Sequence, residues 1–191
     1  MSKKKINNKK LIKKCLKKVI EGLVLTTIVT TVAYPITTAK AEVNSSATTV
    51  KKVSRKNFVK DCYSRNKTLA EILNLMEENT VDAANDMFNL ESYASNYYNY
   101  YAELKELLYT KEEQKALGKQ QKKVVKQWNE AITHIMLACD SYYQAFICGY
   151  DDAALTSANE EVDAFTSEYN KYMNKVDAYI EKYKLQSVIK G

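Results

Sequence analysis

Three long stretches of this chain place apolar residues three and four positions apart, the rhythm of a helix face turned towards a core. The first runs Leu69, Ile72, Met76, Ala83, Met87, Leu90, Ala94, Tyr97, Tyr101, Leu104 and Leu108. From Met87 its steps alternate without a miss, like the seam of a coiled coil. The second runs Leu117, Val124, Trp128, Ala131, Ile135, Cys139, Tyr142 and Phe146, widened by Val125, Ile132, Met136 and Tyr143. The third runs Leu155, Ala158, Val162, Phe165, Tyr169, Tyr172, Val176, Tyr179 and Tyr183. Punctuation falls where helices would start and stop. Thr68-Leu69-Ala70-Glu71 and Thr110-Lys111-Glu112-Glu113 read as capping boxes. Gly149 reads as a helix stop and Asp151-Asp152 as a restart. The spacing slips only at Asn79-Thr80-Val81-Asp82, which predicts a stutter or a kink there.

These elements predict an all-α chain: a long antiparallel three-helix bundle with coiled-coil-like heptad seams over residues 54–186. Its helices are expected over 68–108, 111–148 and 152–186, with 54–67 a short basic helix or an extension of the first. Short connections make successive helices antiparallel neighbours, giving a rod about 55 Å long. If the slip at 79–82 is a true turn, the architecture becomes a four-helix up-down bundle. Composition supports helices over sheet. The only proline is Pro35, and beyond residue 41 glycine occurs only at 118, 149 and 191, too few for the turns of a sheet protein.

The first 41 residues follow another logic. A basic lead (MSKKKINNKKLIKKCLKK) precedes an apolar stretch from Gly22 to Ile36, then Ala39-Lys40-Ala41. That order is the order of a secretory signal peptide, with cleavage expected between Ala41 and Glu42. The apolar stretch is shorter than the roughly 20 residues a membrane span needs. An uncleaved, membrane-tethered N-terminus is the alternative. Residues 42–53 (EVNSSATTVKKV) are polar and aperiodic and read as a disordered leader. Cleavage changes the charge picture. Residues 1–41 hold 10 Lys and one Glu, whereas the other 150 hold 19 Lys and Arg against 22 Asp and Glu. The exported chain is thus weakly acidic and lacks a groove-reading motif, which argues against nucleic acid as a partner.

The charges are also unevenly placed. Residues 68–99 and 129–168 contain 14 Asp and Glu and no Lys or Arg, while 100–128 and 169–191 contain 12 Lys and six acids. In an antiparallel bundle these sets fall at opposite ends. The basic segment 51–67 is expected at the acidic end, because it leads into a helix starting at Thr68. Solubility and control of helix arrangement explain such a division. A cation site in the acidic half is the sharper reading, although the chain holds no calcium-loop pattern.

Candidate chemistry is sparse. The single histidine, His134, follows Glu130 by four, which is ordinary helix surface and not the paired Glu-x-x-His of a di-iron bundle. No catalytic residue, cofactor or metal ligand is nominated, and no enzymatic activity is expected. Of the cysteines beyond the lead, Cys139 and Cys148 point to opposite sides of one helix and cannot bridge. Cys62, Cys139 and Cys148 are expected as buried free thiols, with a Cys62–Cys148 bridge as the alternative. Tyrosine is abundant, 15 in all. Most occupy stripe positions, but Tyr93, Tyr97, Tyr98, Tyr100 and Tyr101 surround one helix and cannot all face one core. Tyr93, Tyr98 and Tyr100 should therefore be partly exposed, an anchor surface for a partner.

In architecture, over residues 54–186, the chain resembles the small secreted helical-bundle proteins of low-GC Gram-positive bacteria. The resemblance carries no site with it. The expected role is a secreted, non-enzymatic helical module acting by protein–protein or cell-envelope contact, with self-association a further expectation. The alternative is an extracytoplasmic carrier of a small apolar ligand or of a cation in the acidic half. A pocket lined by Tyr142, Phe146 and Phe165 would favour the carrier.

Overall fold

The computed structural model describes residues 52–86 and 88–188, which are helical and contain no strand. In chain order they form α1 (Arg55–Asn85), α2 (Leu90–Glu106), the short α3 (Lys111–Lys115), α4 (Lys119–Ile147), α5 (Asp152–Tyr183) and a 3₁₀ turn, Gln186–Val188. Four helices, α1, α2, α4 and α5, pack against one another. Helix α4 lies against both α2 and α5, and α1 lies against α2 and touches α5. The signal segment, the Ala41–Glu42 cleavage position, nearly all of the leader and the stripe residue Met87 lie outside the described residues.

The first helix begins earlier than Thr68. Ser54 caps it, its hydroxyl accepting from the Asn57 amide at 3.2 Å. Thr68 sits mid-helix, donating to the Ser64 carbonyl. The reason is packing: Phe58, Val59, Cys62 and Asn66 are buried, so the apolar stripe starts ten residues upstream of the apparent capping box at Thr68. Val53 is also tied down, its amide donating to the Ala116 carbonyl at 3.0 Å.

The helix expected over 68–108 is interrupted at 86–89, not at 79–82. Asp86 leaves the helical region (φ −118°, ψ 91°). Its carboxylate accepts from the Phe88 amide at 3.0 Å and the Asn89 side chain at 2.6 Å, closing an Asx turn. Helix α2 then runs back along α1. The Asn79 amide donates to the Tyr93 carbonyl, the Tyr97 hydroxyl to the Met76 carbonyl and the Tyr100 hydroxyl to the Leu75 carbonyl. Rising numbers on one helix meet falling numbers on the other, so the pair is antiparallel. Asn79 and Thr80, which looked like the weak point, are buried and bind α2 back onto α1, Thr80 through the Tyr97 hydroxyl.

The Thr110 capping box forms as expected, with both reciprocal bonds to Glu113. It starts only the five-residue α3. The chain breaks at 116–118 and α4 starts after Gly118, whose amide donates to the Gln121 side chain at 2.6 Å. At the other end of α4, Gly149 (φ +75°) and Tyr150 (φ +76°) turn the chain through the left-handed region, and Asp151 caps α5. The longest helix has 32 residues, giving a rod of about 48 Å, shorter than expected.

The stripes of α4 and α5 are buried as read, apart from half-buried Tyr143 and Tyr183. Trp128, Tyr97, Tyr142, Tyr172, Phe58, Phe146 and Phe165 fill the centre. Alanines at 94, 131, 138, 145 and 158 are fully buried between helices, where a small side chain permits close approach. Tyr101 departs from its stripe, with 38 % of its surface exposed. The antiparallel α1–α2 pair also moves the basic segment. Phe58 packs edge-on to Tyr179, and Arg65 bonds to Glu113 beside the Thr110 turn. Residues 52–67 thus join the basic end, not the acidic one. Residues 52–67, 100–128 and 169–188 together hold 17 Lys and Arg against seven acids, opposite the 14 acids of the other half.

Candidate interaction surface

Helix α2 carries its tyrosines on three sides. Tyr97 points to the core, stacked on Tyr142 at 4.9 Å and edge-on to Phe146 at 5.6 Å. Tyr93 and Tyr100 are half-buried on the side facing α1, and Tyr100 lies edge-on to Tyr97 at 5.6 Å. Tyr98, at 69 % exposure, is the open member of the three proposed from sequence. Tyr101, one turn further along, extends the same open strip. On α4, Leu137 is also open, 45 % exposed. Leu137 lies at the level of Tyr101, because Tyr97 meets Tyr142 and the Tyr109 amide bonds to Asn129 further down. Leu137 was not singled out from sequence, and Tyr101 was read there as a stripe residue facing the core. Leu137 lies outside the α4 stripe, which is the signal that it faces away from the core.

The basic end holds a second polar assembly. The Arg65 guanidinium stacks 3.9 Å over the Tyr109 ring, donates to the Leu107 carbonyl at 2.9 Å and pairs with Glu113 at 2.6 Å. The Tyr109 hydroxyl donates to Asp61 at 2.5 Å and lies 3.9 Å from the Cys62 sulfur. Trp128 donates to the same Leu107 carbonyl at 2.7 Å, and Asn129 exchanges two bonds with the Tyr109 backbone. This network ties the 107–110 turn to α1 and α4. Burial pushes the Cys62 thiol up to about 12, so it stays protonated at neutral pH and is a poor nucleophile. Burial raises Cys139 further still.

Cys62 and Cys139 are buried free thiols as expected, but Cys148 is exposed, just past the end of α4. Cys62 lies at the basic end and Cys148 at the acidic end. Cys62 lies against Tyr109, whose backbone bonds to Asn129, 19 residues and about 28 Å along α4 from Cys148, which rules out the Cys62–Cys148 bridge.

His134 accepts or donates through Nδ1 to Glu161 of α5 at 2.7 Å, while Glu130 pairs with Lys126 at 3.5 Å. The helical Glu130–His134 spacing therefore produces two separate contacts. Lys126, Glu130 and His134 line an open groove of about 420 Å³ with Gln114, Asn129 and Thr133. Tyr142 and Phe146 are buried against the Tyr97 ring, and Phe165 is buried against Tyr169 at 5.5 Å. Among the described residues no three His, Cys, Asp or Glu side chains gather as a metal ion would require. Also among them, no helix is long and apolar enough to cross a membrane.

No family model matches the chain, and no curated protein or solved structure matches it either.

Proposed function

We propose that this chain is a secreted, non-enzymatic helical module, built as an up-down four-helix bundle, that works by contact with another protein or a cell-envelope polymer. The observation that carries the reading is Tyr98, a large aromatic ring held 69 % exposed in the middle of a packed helix. Tyrosine offers large amphipathic contact area with little side-chain freedom to lose, so a ring on a rigid platform is suited to binding. Tyr101, one turn along α2 and 38 % exposed, enlarges the apolar surface around it. The division of charge along the rod would orient a charged partner before contact.

The test places a photoreactive phenylalanine analogue at position 98 and irradiates it in cultures of producing cells. An adduct joining position 98 to a protein or envelope polymer is expected. Irradiation that leaves only the unmodified chain, with the probe confirmed in place, would overturn the reading. Export is checked separately: N-terminal sequencing of the chain from the medium should begin at Glu42.

A further inference from the structure

We infer that the seam between α4 and α5, in the basic half of the rod, binds a linear polyanion of phosphodiesters. The seam is a second contact surface, independent of the one at Tyr98, which lies in the acidic half beside the Tyr97–Tyr142 stack. On α5, Lys171, Lys175 and Lys182 are four and seven residues apart, so they follow one another along one side of the helix. That side faces α4, because Lys175 donates to the Gln127 side chain at 2.5 Å. On α4, Lys123 lies one turn before Gln127 and Lys119 one turn before that, with Lys126 beside them. The antiparallel register, fixed by Gln127 with Lys175 and by Ser141 with Ser157, sets Lys126 near the level of Lys171 and Lys123 near that of Lys175. Lys119 then falls between Lys175 and Lys182. The six form a double row about 16 Å long on its α5 side. All six are exposed. Among the described residues, Lys119, Lys123, Lys175 and Lys182 have no ion-pair partner. Lys171 pairs with Glu168 at 2.6 Å and Lys126 with Glu130 at 3.5 Å. Asp177 and Glu181, one turn apart on α5, lie away from the seam, Asp177 near Tyr63 of α1.

The chemistry of the double row selects its occupant. All six residues are Lys and none is Arg. Point charges on long flexible stems suit phosphates strung along a flexible chain, whereas the planar fork of Arg suits a carboxylate held in fixed geometry. The exposed large apolar side chains, from Leu75 to Ile147, all lie outside residues 111–128 and 169–188. A bilayer surface would call for apolar anchors among the charges, and a nucleic acid for exposed rings on which its bases could stack. A second copy of the chain is a poor match. Continued into the acidic half, the seam offers two further carboxylates, Glu160 and Glu161, and Glu161 is already bonded to His134 at 2.7 Å. A polymer engages the whole row at once and releases a counterion at each lysine it meets, which a single phosphate cannot do.

Fluorescence anisotropy of labelled poly(glycerol phosphate), titrated with the purified chain at about 0.05 M NaCl, tests this. A seam variant combines Lys119→Gln, Lys123→Gln and Lys182→Gln. A control combines Lys56→Gln, Lys60→Gln and Lys67→Gln, which removes three exposed lysines of α1, off the seam, and changes the net charge equally. The wild type should bind, with the logarithm of affinity falling linearly against the logarithm of salt concentration. The seam variant should bind about tenfold more weakly or worse, and its salt slope should be shallower by about 2, at roughly 0.7 for each lost phosphate contact. The control should stay within about threefold of the wild type, since its lysines touch no phosphate and act only through screened long-range charge. Circular dichroism must show unchanged helicity in both variants, as surface positions predict. Equal losses in the two variants would reduce the effect to net charge and overturn the inference, as would a wild type that does not bind. Tighter binding of phosphatidylglycerol vesicles, of a single-stranded oligonucleotide or of poly-glutamate would assign the seam to a different partner and overturn it too. Crosslinking at position 98 is unaffected by any of these outcomes, so the two surfaces fail separately.

Discussion

Asn66 is buried to 4 % exposure among Tyr169, Tyr172 and Met173. Its carbonyl oxygen accepts from the Tyr169 hydroxyl at 3.1 Å, and its amide donates to the Tyr172 hydroxyl at 3.4 Å. A buried polar group is tolerated only when such bonds are made. Asn66→Ala should therefore lower unfolding free energy by about 2 kcal/mol, measured by urea denaturation, because two hydroxyl groups lose a partner away from water. Thiol chemistry separates the cysteines. Brief alkylation of the native chain should label Cys148 and spare Cys62 and Cys139, whose thiols burial keeps protonated; peptide mapping by mass spectrometry reads this directly. Labelling of Cys62 at the same rate as Cys148 would show the α1 end open. Of the buried tyrosines, 97, 142, 169, 172 and 179 were legible from sequence, because stripe spacing is local; Tyr109, on no stripe, was not, since α1 and α4 bury it across the 107–110 turn. Which of Tyr93, Tyr98 and Tyr100 stays most open was not, because the answer depends on α1 lying against one side of α2.

At the scale of elements, the stripes of α4 and α5 were read almost residue by residue, since their period follows from helix geometry alone. Helix ends were less legible. Two strong capping boxes were present in the sequence, and one of them, at Thr68, is passed over by a helix already running. The real break at 86–89 sits in Asn85-Asp86 and Asn89, residues that favour turns, yet the three–four rhythm continues through it and masks it. Gly149→Ala should cost about 1 kcal/mol, because φ +75° strains a residue with a Cβ while no neighbour lies within 4 Å to clash. Glu113 makes a pH-dependent contribution. Burial raises its carboxyl, but the Thr110 amide and Arg65 lower it further, to below the ordinary 4.5. A depressed folded value means the stabilisation is complete above about 4.5 and fades as pH falls through the folded value. The stability gap between the wild type and Glu113→Gln should accordingly be largest near neutrality and shrink below that point in acid titrations of unfolding.

For the whole molecule, the charge division is sharper than the linear order implied, since residues 52–67 join the basic end. The acidic half then repels itself. At protein concentrations where the chain is monomeric, raising NaCl from about 0.05 to about 0.5 M should raise Tm by screening that repulsion, read by thermal circular dichroism. The all-α class, the inward faces of α4 and α5 and the two sets of charged residues follow from the sequence by itself, because helical period and residue charge are local properties. Tertiary structure decided the rest. It decided that α2 folds back on α1, which end receives the basic segment, that Cys62 and Cys148 lie too far apart to bridge, and that Tyr98 is left uncovered. Each depends on which side chains meet across helices, and only the closed packing of α1, α2, α4 and α5 determines that.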